Sequence, residues 1–480
     1  GNSFSEDTVR YTYEIAKAAG LKEINICNMY IGGCSLSQHW NNAAANAALY
    51  DFQTYSDGEW QHNAGKTMEY GIKYMRWDYI SVQQASGSSG RSETYSDTDK
   101  LMNYIRNTSE NKNVKLLWNM TWAYQQNSSH ADFKYYGNDQ LTMYNDIINA
   151  VKTQILTRSF YRIIPAGTAV QNARTSFLGD NLTRDGYHLS YDIGRYIAGL
   201  TLIGEITGTD ISAVNYAPYG IPVQIEKVCK ESAANAVANH YEITNSVFDE
   251  KPEFITREEL EERGLKKLDY MPAGCAYWQC MDTNNYNKMI TDAKNSISFV
   301  ATKRFTKEEL PAGSVITVDL GWQYRPEAWK DDAPQSSRPD TVTSPVIEIT
   351  EQWWEGFTSR AFNISRLGAP SLDGKQPEAV EAFRIYVPEN TPEETVPSHY
   401  GDDKTLFSSN GLDIENFTQM KTLPVNGFYN SSIYADQRNE YSTPSLSPKF
   451  ICFIPFTKET LPVGSVIVCD SGWQYRPDAW

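Results

Sequence analysis

Along the first 245 positions the apolar residues switch repeatedly between helical spacing and short unbroken runs. After Glu6 and Asp7, Val9, Tyr13, Ala16 and Ala19 recur at helical intervals and Gly20 closes the pattern. Residues 4–19 are therefore expected to form a helix, entered by a tight turn at Gly1-Asn2-Ser3. Lys22–Ile31 reads as a strand ending at Gly32-Gly33, and Ser35–Tyr50 as a helix with Leu36, Trp40, Ala44 and Ala47 on one stripe. Further strands are expected at Tyr79–Gln83, Val114–Tyr124 and Phe160–Ala166. Further helices are expected at Leu101–Arg106, 137–156, Leu189–Thr207, directly after His188, and Val223–His240. Such alternation implies an α/β fold, a three-layer α/β/α arrangement with a parallel sheet covered on both faces. Ligands of such sheets bind beyond the C-terminal strand ends. Gly1–Ser3, Gly32-Gly33, Gln83-Gln84 and Trp122–Tyr124 would converge there. A strand is expected before a serine turn of this kind, yet two residues precede Ser3, so the first strand of residues 1–247 reads as missing from a trimmed chain.

The pattern changes after 247. Residues 248–267 are charged and read as a linker or bridging helix, with Glu258–Glu262 a solvated face. From 268 onward short strands with Gly, Pro and Asn turns predict all-β structure. Phe305–Trp329 recurs at Phe456–Trp480, and nineteen of the twenty-five positions are identical. Two copies of one jelly-roll-like or sandwich β-module are expected, at 268–390 and 405–480, joined by a linker at 391–404. The second copy stops at Trp480 and is read as cropped; completion by a strand of another molecule is the alternative.

Composition narrows the class. The chain has 480 residues and a net charge of −16, which argues against nucleic-acid and anionic-membrane partners. No apolar run approaches the roughly 20 residues of a membrane span. The share of aromatics, 13% with 31 Tyr and 12 Trp, is one that carbohydrate-handling proteins often have. Seven scattered cysteines are too few for a disulfide scaffold, although Cys275 and Cys280 are close enough in sequence to bridge a local loop.

The candidate chemistry lies in Ser3 and in Asp185-Gly186-Tyr187-His188. A turn serine or an Asp-x-x-His is by itself commonplace, with Asp185 serving as a helix cap. Together they supply a nucleophile, a base and an orienter: Asp185 can fix the imidazole tautomer and leave Nε2 facing Ser3. Ser3 at a helix start would also lie beside free backbone N–H groups suited to an oxyanion. Gly33 can offer a backbone N–H, and Gln84 a side-chain amide, with Gln83 its neighbouring candidate. His39, Trp40, Trp122, Tyr124 and His130 follow strand ends and could line a substrate pocket, core packing being the plain alternative for Trp40 and Trp122. His62, His240 and His399 belong to no motif and read as surface residues. Tryptophans 322, 329, 353, 354, 473 and 480 could stack on sugars or fill β cores.

Over residues 1–245 this constellation resembles the SGNH (GDSL-type) hydrolase superfamily, in a secreted bacterial branch. Gly1-Asn2-Ser3 matches its first block, Gly33 its second-block glycine and Asp185–His188 its last; Val82–Ser86 stands at the third block without the usual Asn. The resemblance implies a serine esterase: Ser3 nucleophile, His188 base, Asp185 orienter, Gly33 and Gln84 in the oxyanion hole, and no cofactor or metal. With the aromatic content and appended modules, it implies an extracellular enzyme that removes acyl groups, O-acetyl above all, from a carbohydrate, its β-modules binding glycan or the cell surface. The alternatives are an esterase of non-carbohydrate esters and a surface adhesive or structural protein carrying an inactive hydrolase scaffold.

Overall fold

The computed structural model describes residues 1–56, 58–268, 300–302, 304–331, 333–335, 339–368 and 376–392, and the short strand segments 280–281, 289–290, 432–433 and 441–442. The first helical stretch divides into α1 (Ser3–Val9) and α2 (Thr12–Ala18), because Tyr11 leaves helical geometry at φ −107°, ψ 8°. Strand β1 (Cys27–Tyr30) is shorter than expected and pairs antiparallel with β2 (Tyr50–Ser56), which pairs antiparallel with β3 (Glu59–Lys66). This sheet displaces the end of the helix expected to reach Tyr50. Helix α3 (Leu36–Ala44) stops early and Asn46 turns the chain at φ +46°, a conformation asparagine tolerates better than most side chains. Tyr50 and Phe52 of β2 are then free to enter the core.

After α4 (Met68–Lys73), strands β4 (Tyr79–Val82), β5 (Lys115–Asn119) and β6 (Arg162–Ile164) form a parallel sheet in that order, alternating with α5 (Thr98–Thr108) and α6 (Gln140–Ala150). Val82 stands opposite Trp118, and Asn119 opposite Ile164. The parallel sheet is thus present in these three strands, whereas β1 lies in the separate antiparallel sheet. Helix α7 (Ala166–Ala173), absent from the sequence reading, follows β6 and is buried throughout. A Cβ on its Gly167 would fall 2.2 Å from the Thr121 carbonyl oxygen, so only glycine permits this approach. Helix α8 (Ile193–Thr207) begins at an Asp192 cap rather than directly after His188, and packs with α7 and α9 (Val223–Ala238). No described helix is long and apolar enough to cross a membrane.

Helix α10 (Arg257–Glu262) buries Leu260 and turns its glutamates outward. Strand β7 (Leu265–Leu268) begins within the segment 248–267 read as a linker and belongs to a sheet of the following module. Short strands β8 (Cys280–Met281) and β9 (Met289–Ile290) pair with each other. The module itself has two antiparallel sheets. One contains β10 (Val300–Ala301), β11 (Phe305–Thr306), β13 (Trp322–Lys330), β14 (Ala333–Pro334) and β16 (Ser359–Arg366); the other runs β15 (Val346–Glu348), β12 (Val315–Val318), β17 (Phe383–Pro388), β7. Tyr324 and Phe362 from the first meet Ile316, Phe383 and Ile385 from the second in one apolar core. Trp322, Trp329 and Trp354 are buried, and Trp353 is covered by Arg360, whose guanidinium lies 4.1 Å from its ring centre. Trp322, Trp329 and Trp354 pack inside the module, so the sugar-stacking expectation is corrected for these three, while Trp353 is half-buried against the same core. The repeated segment 456–480, with Trp473 and Trp480, and the Cys275 position lie outside the described residues.

Candidate active site

The site is built on the cap of α1. Asn2 is buried; its Oδ1 accepts from the Phe4 N–H at 3.0 Å, while the Ser5 hydroxyl accepts from the Asn2 N–H at 2.9 Å. This reciprocal cap places Ser3 at the first helical position. Gly1 is required beside it, since a Cβ there would lie 2.1 Å from Ser5 Oγ. The Gly1 carbonyl accepts from Ile31 N–H at 3.2 Å, and the Asn2 side-chain amide donates to the Cys34 carbonyl at 3.2 Å. The Ile31–Cys34 turn, with Gly33 at φ +63°, is thereby set against the serine turn. Burial pushes the neighbouring Cys34 thiol up to about 11, which keeps it out of the thiolate form near neutrality.

His188 Nε2 lies 2.8 Å from Ser3 Oγ, and its Nδ1 lies 2.6 Å from Asp185 Oδ2. The other Asp185 oxygen accepts from the backbone N–H groups of His188, at 2.8 Å, and Tyr187, at 3.2 Å. Burial opposes ionisation of Asp185, yet the hydrogen bonds and charge of His188 outweigh it and hold the carboxyl below its ordinary value. The three residues singled out from sequence therefore form one hydrogen-bonded chain.

Asp7, four residues after Ser3 and so on the same face of α1, locks the two halves together. It is fully buried and receives the Arg195 Nε at 2.7 Å, the Arg184 Nη1 at 3.0 Å and the Leu189 N–H at 3.0 Å. Arg184 and Leu189 flank Asp185–His188, so one carboxylate fixes the serine helix to the imidazole loop. Asp7 is not among the residues singled out from sequence; its spacing from Ser3 and the two arginines around the Asp-x-x-His are the available signal.

The oxyanion assignments divide. Among the described residues the N–H groups of Ser3 and Gly33 donate no hydrogen bond, and the Cβ position of Gly33 faces open space. Gln84 is a correction. Its amide nitrogen donates to the Thr94 carbonyl and hydroxyl, both at 3.0 Å, and its oxygen accepts from Leu36 and Ala85 N–H groups. That side chain is consumed in holding the loop after β4. Gln83 faces the serine turn instead: it donates to Asn2 Oδ1 at 2.8 Å and accepts from Asn119 at 2.8 Å.

The expected pocket residues pack around the site without forming an open wall. Trp122 is fully buried, stacks on Phe4 with centroids 4.3 Å apart, and donates its Nε1–H to the Tyr187 carbonyl. Tyr124 is also fully buried, behind His130 and Tyr187, with its hydroxyl 2.9 Å from Ser86 Oγ. His39 lies inside, its Nδ1 2.9 Å from the Tyr50 hydroxyl. Trp40 points to α5, where Lys100 sits over its ring at 5.8 Å. His39, Trp122 and Tyr124 thus act as buried supports rather than as a pocket wall, and Trp40 is half-buried beside Lys100. His62 pairs with Asp51 at 2.7 Å, and half-buried His240 with Glu205 at 2.7 Å.

Residues 1–236 match the family model described as a domain of unknown function, DUF4886. A crystal structure of a DUF4886 family protein from Bacteroides uniformis ATCC 8492 is 42% identical, with a TM-score of 0.50; the match covers 51% of this chain and 95% of that one. No curated protein matches the chain. Identity at that level across nearly all of a solved relative, together with the family match over the part that holds Ser3, Asp185 and His188, makes this chain a member of the DUF4886 family.

Proposed function

We propose that residues 1–247 form a serine esterase, and one observation carries the reading. A serine at a capped helix start is bonded through Nε2 of an imidazole whose Nδ1 meets a half-buried aspartate held below its ordinary carboxyl value. Ser3 Oγ attacks an ester carbonyl and gives its proton to His188; the imidazolium, stabilised by Asp185, then protonates the departing alkoxide. Water, deprotonated by the same imidazole, cleaves the acyl-enzyme and regenerates Ser3. The tetrahedral oxyanion is met by the N–H groups of Ser3 and Gly33. Losing one such donor costs on the order of 10²–10³ in turnover.

The resemblance to SGNH hydrolases and the aromatic-rich composition support a small acyl ester on a glycan, O-acetyl above all, as substrate and an extracellular setting. The buried module tryptophans withdraw one argument for glycan binding by the first β-module. Purified protein is to be assayed on p-nitrophenyl acetate and on an acetylated polysaccharide. The expected outcome is turnover of both, lost in Ser3→Ala and reduced about 10⁴-fold in Asp185→Asn through the wrong imidazole tautomer. Turnover of the small ester alone favours a non-carbohydrate substrate. Turnover of neither, or full activity in Ser3→Ala, favours the inactive-scaffold reading.

A further inference from the structure

We infer that the first β-module is a working part of this centre, with Gln323 as a positioning residue for the Asp185–His188 loop. The inference rests on the esterase reading for its catalytic consequence. Its structural half stands on contacts alone.

The loop is a small turn closed by the Thr183–Leu189 bridge and by the Arg184 N–H, which donates to the His188 carbonyl at 2.9 Å. Two of its carbonyls point outward, and the module takes both. Gln323 Nε2 donates to the Arg184 carbonyl at 3.1 Å, and Gly368 N–H to the Thr183 carbonyl at 3.2 Å. At the far end of the loop, the Thr343 N–H donates to Asp192 Oδ2 at 2.6 Å, and Asp192 caps α8. The segment bearing the acid and the base is thus held at both ends by one module.

The holding groups are themselves rigid. Gln323 is buried on β13, which pairs with β16 from Trp322–Arg366 through Trp329–Ser359. Among the described residues its buried Oε1 has no hydrogen-bond partner, a desolvation cost, while its N–H is aimed at the Arg184 carbonyl. Gly368 sits at φ +78°, and a Cβ there would fall 2.7 Å from Gln125 Nε2. Gln125 in turn donates its backbone N–H to the Gly186 carbonyl at 2.8 Å. Arg184 carries the constraint onward through its guanidinium to Asp7 and the serine helix. The family match ends at residue 236, and the match to the solved relative covers 95% of that chain with 51% of this one, so the brace lies beyond the matched domain.

The test uses the full chain with Gln323→Met, which keeps the shape and removes the N–H. Tyr219→Phe is the control, since the Tyr219 hydroxyl bonds the Glu348 carbonyl of the module away from the loop. Two readouts are taken: kcat and KM on p-nitrophenyl acetate, and hydrogen exchange at the His188 and Leu189 amides. Displacing a catalytic group by a fraction of an ångström to one ångström costs up to about 10²-fold. The expected result for Gln323→Met is a kcat lowered by about tenfold to a hundredfold with KM unchanged, and faster exchange at both amides. Tyr219→Phe should match wild type in both. Unchanged exchange in Gln323→Met, or faster exchange with unchanged kcat, overturns the proposal. If wild type itself hydrolyses no ester, the esterase reading fails on its own, and the exchange comparison still decides whether the module holds the loop.

Discussion

The imidazole of His39 is buried, and that burial lowers its pKa well below the ordinary histidine value. The folded protein keeps it neutral at a pH where the unfolded chain, titrating near about 6.5, binds a proton. More protons bound in the unfolded state means that stability falls as pH drops through that value. Urea unfolding at pH 7 and pH 5 is expected to show wild type losing more stability on acidification than His39→Gln; equal losses would remove His39 from the acid response. The contrast with His188 shows what sequence conveys at this scale. Ser3, Asp185 and His188 were legible because the Asp-x-x-His spacing lets a carboxylate reach its own imidazole, whatever lies around it. Gln83 and Gln84 were not distinguishable, since neighbouring residues at a strand end face opposite ways. The end of β4 at Val82 turns Gln83 to Asn2 and Gln84 to Thr94.

At the scale of elements, α1 and the loop before α8 are joined mainly through Asp7. Its carboxylate sits between Arg184 and Arg195, both of which also lie 4.4 Å over the Tyr191 ring. Removing one member of a buried ion network leaves charge without a partner, at a cost of about 3–5 kcal/mol. Asp7→Asn is expected to lose about that much in urea unfolding and to lower ester turnover, because the loop carrying His188 is released from the serine helix. A loss within the error of wild type would contradict this role. Elements with clean apolar spacing, such as α5, α6 and α9, could be read from sequence. The β2–β3 hairpin could not, because the alanine-rich run up to Tyr50 looks helical until Asn46 breaks it. Strand β1 was recognisable as a strand, but its pairing was set by that unseen hairpin.

For the whole molecule, the repeat at 305–329 was evident from identity alone, while its placement was not. In the described copy, Trp322 and Tyr324 of its GWQYRP segment point into the module core, while Gln323 alternates to the other face and meets the Asp185–His188 loop. A single strand thus serves packing on one side and the site on the other. The chain carries a charge of −16, and the two arginines bonded beside the site, Arg184 and Arg195, are both engaged by Asp7. On the proposed esterase reading, this suits a neutral ester better than a polyanion.

Reaction with a fluorophosphonate, followed by peptide mass spectrometry, tests the central claim most directly, since only a serine activated by a neighbouring base reacts readily. The account predicts one adduct on Ser3 in the wild-type chain and its loss in His188→Gln. An unlabelled Ser3, or labelling that persists undiminished without His188, would contradict it.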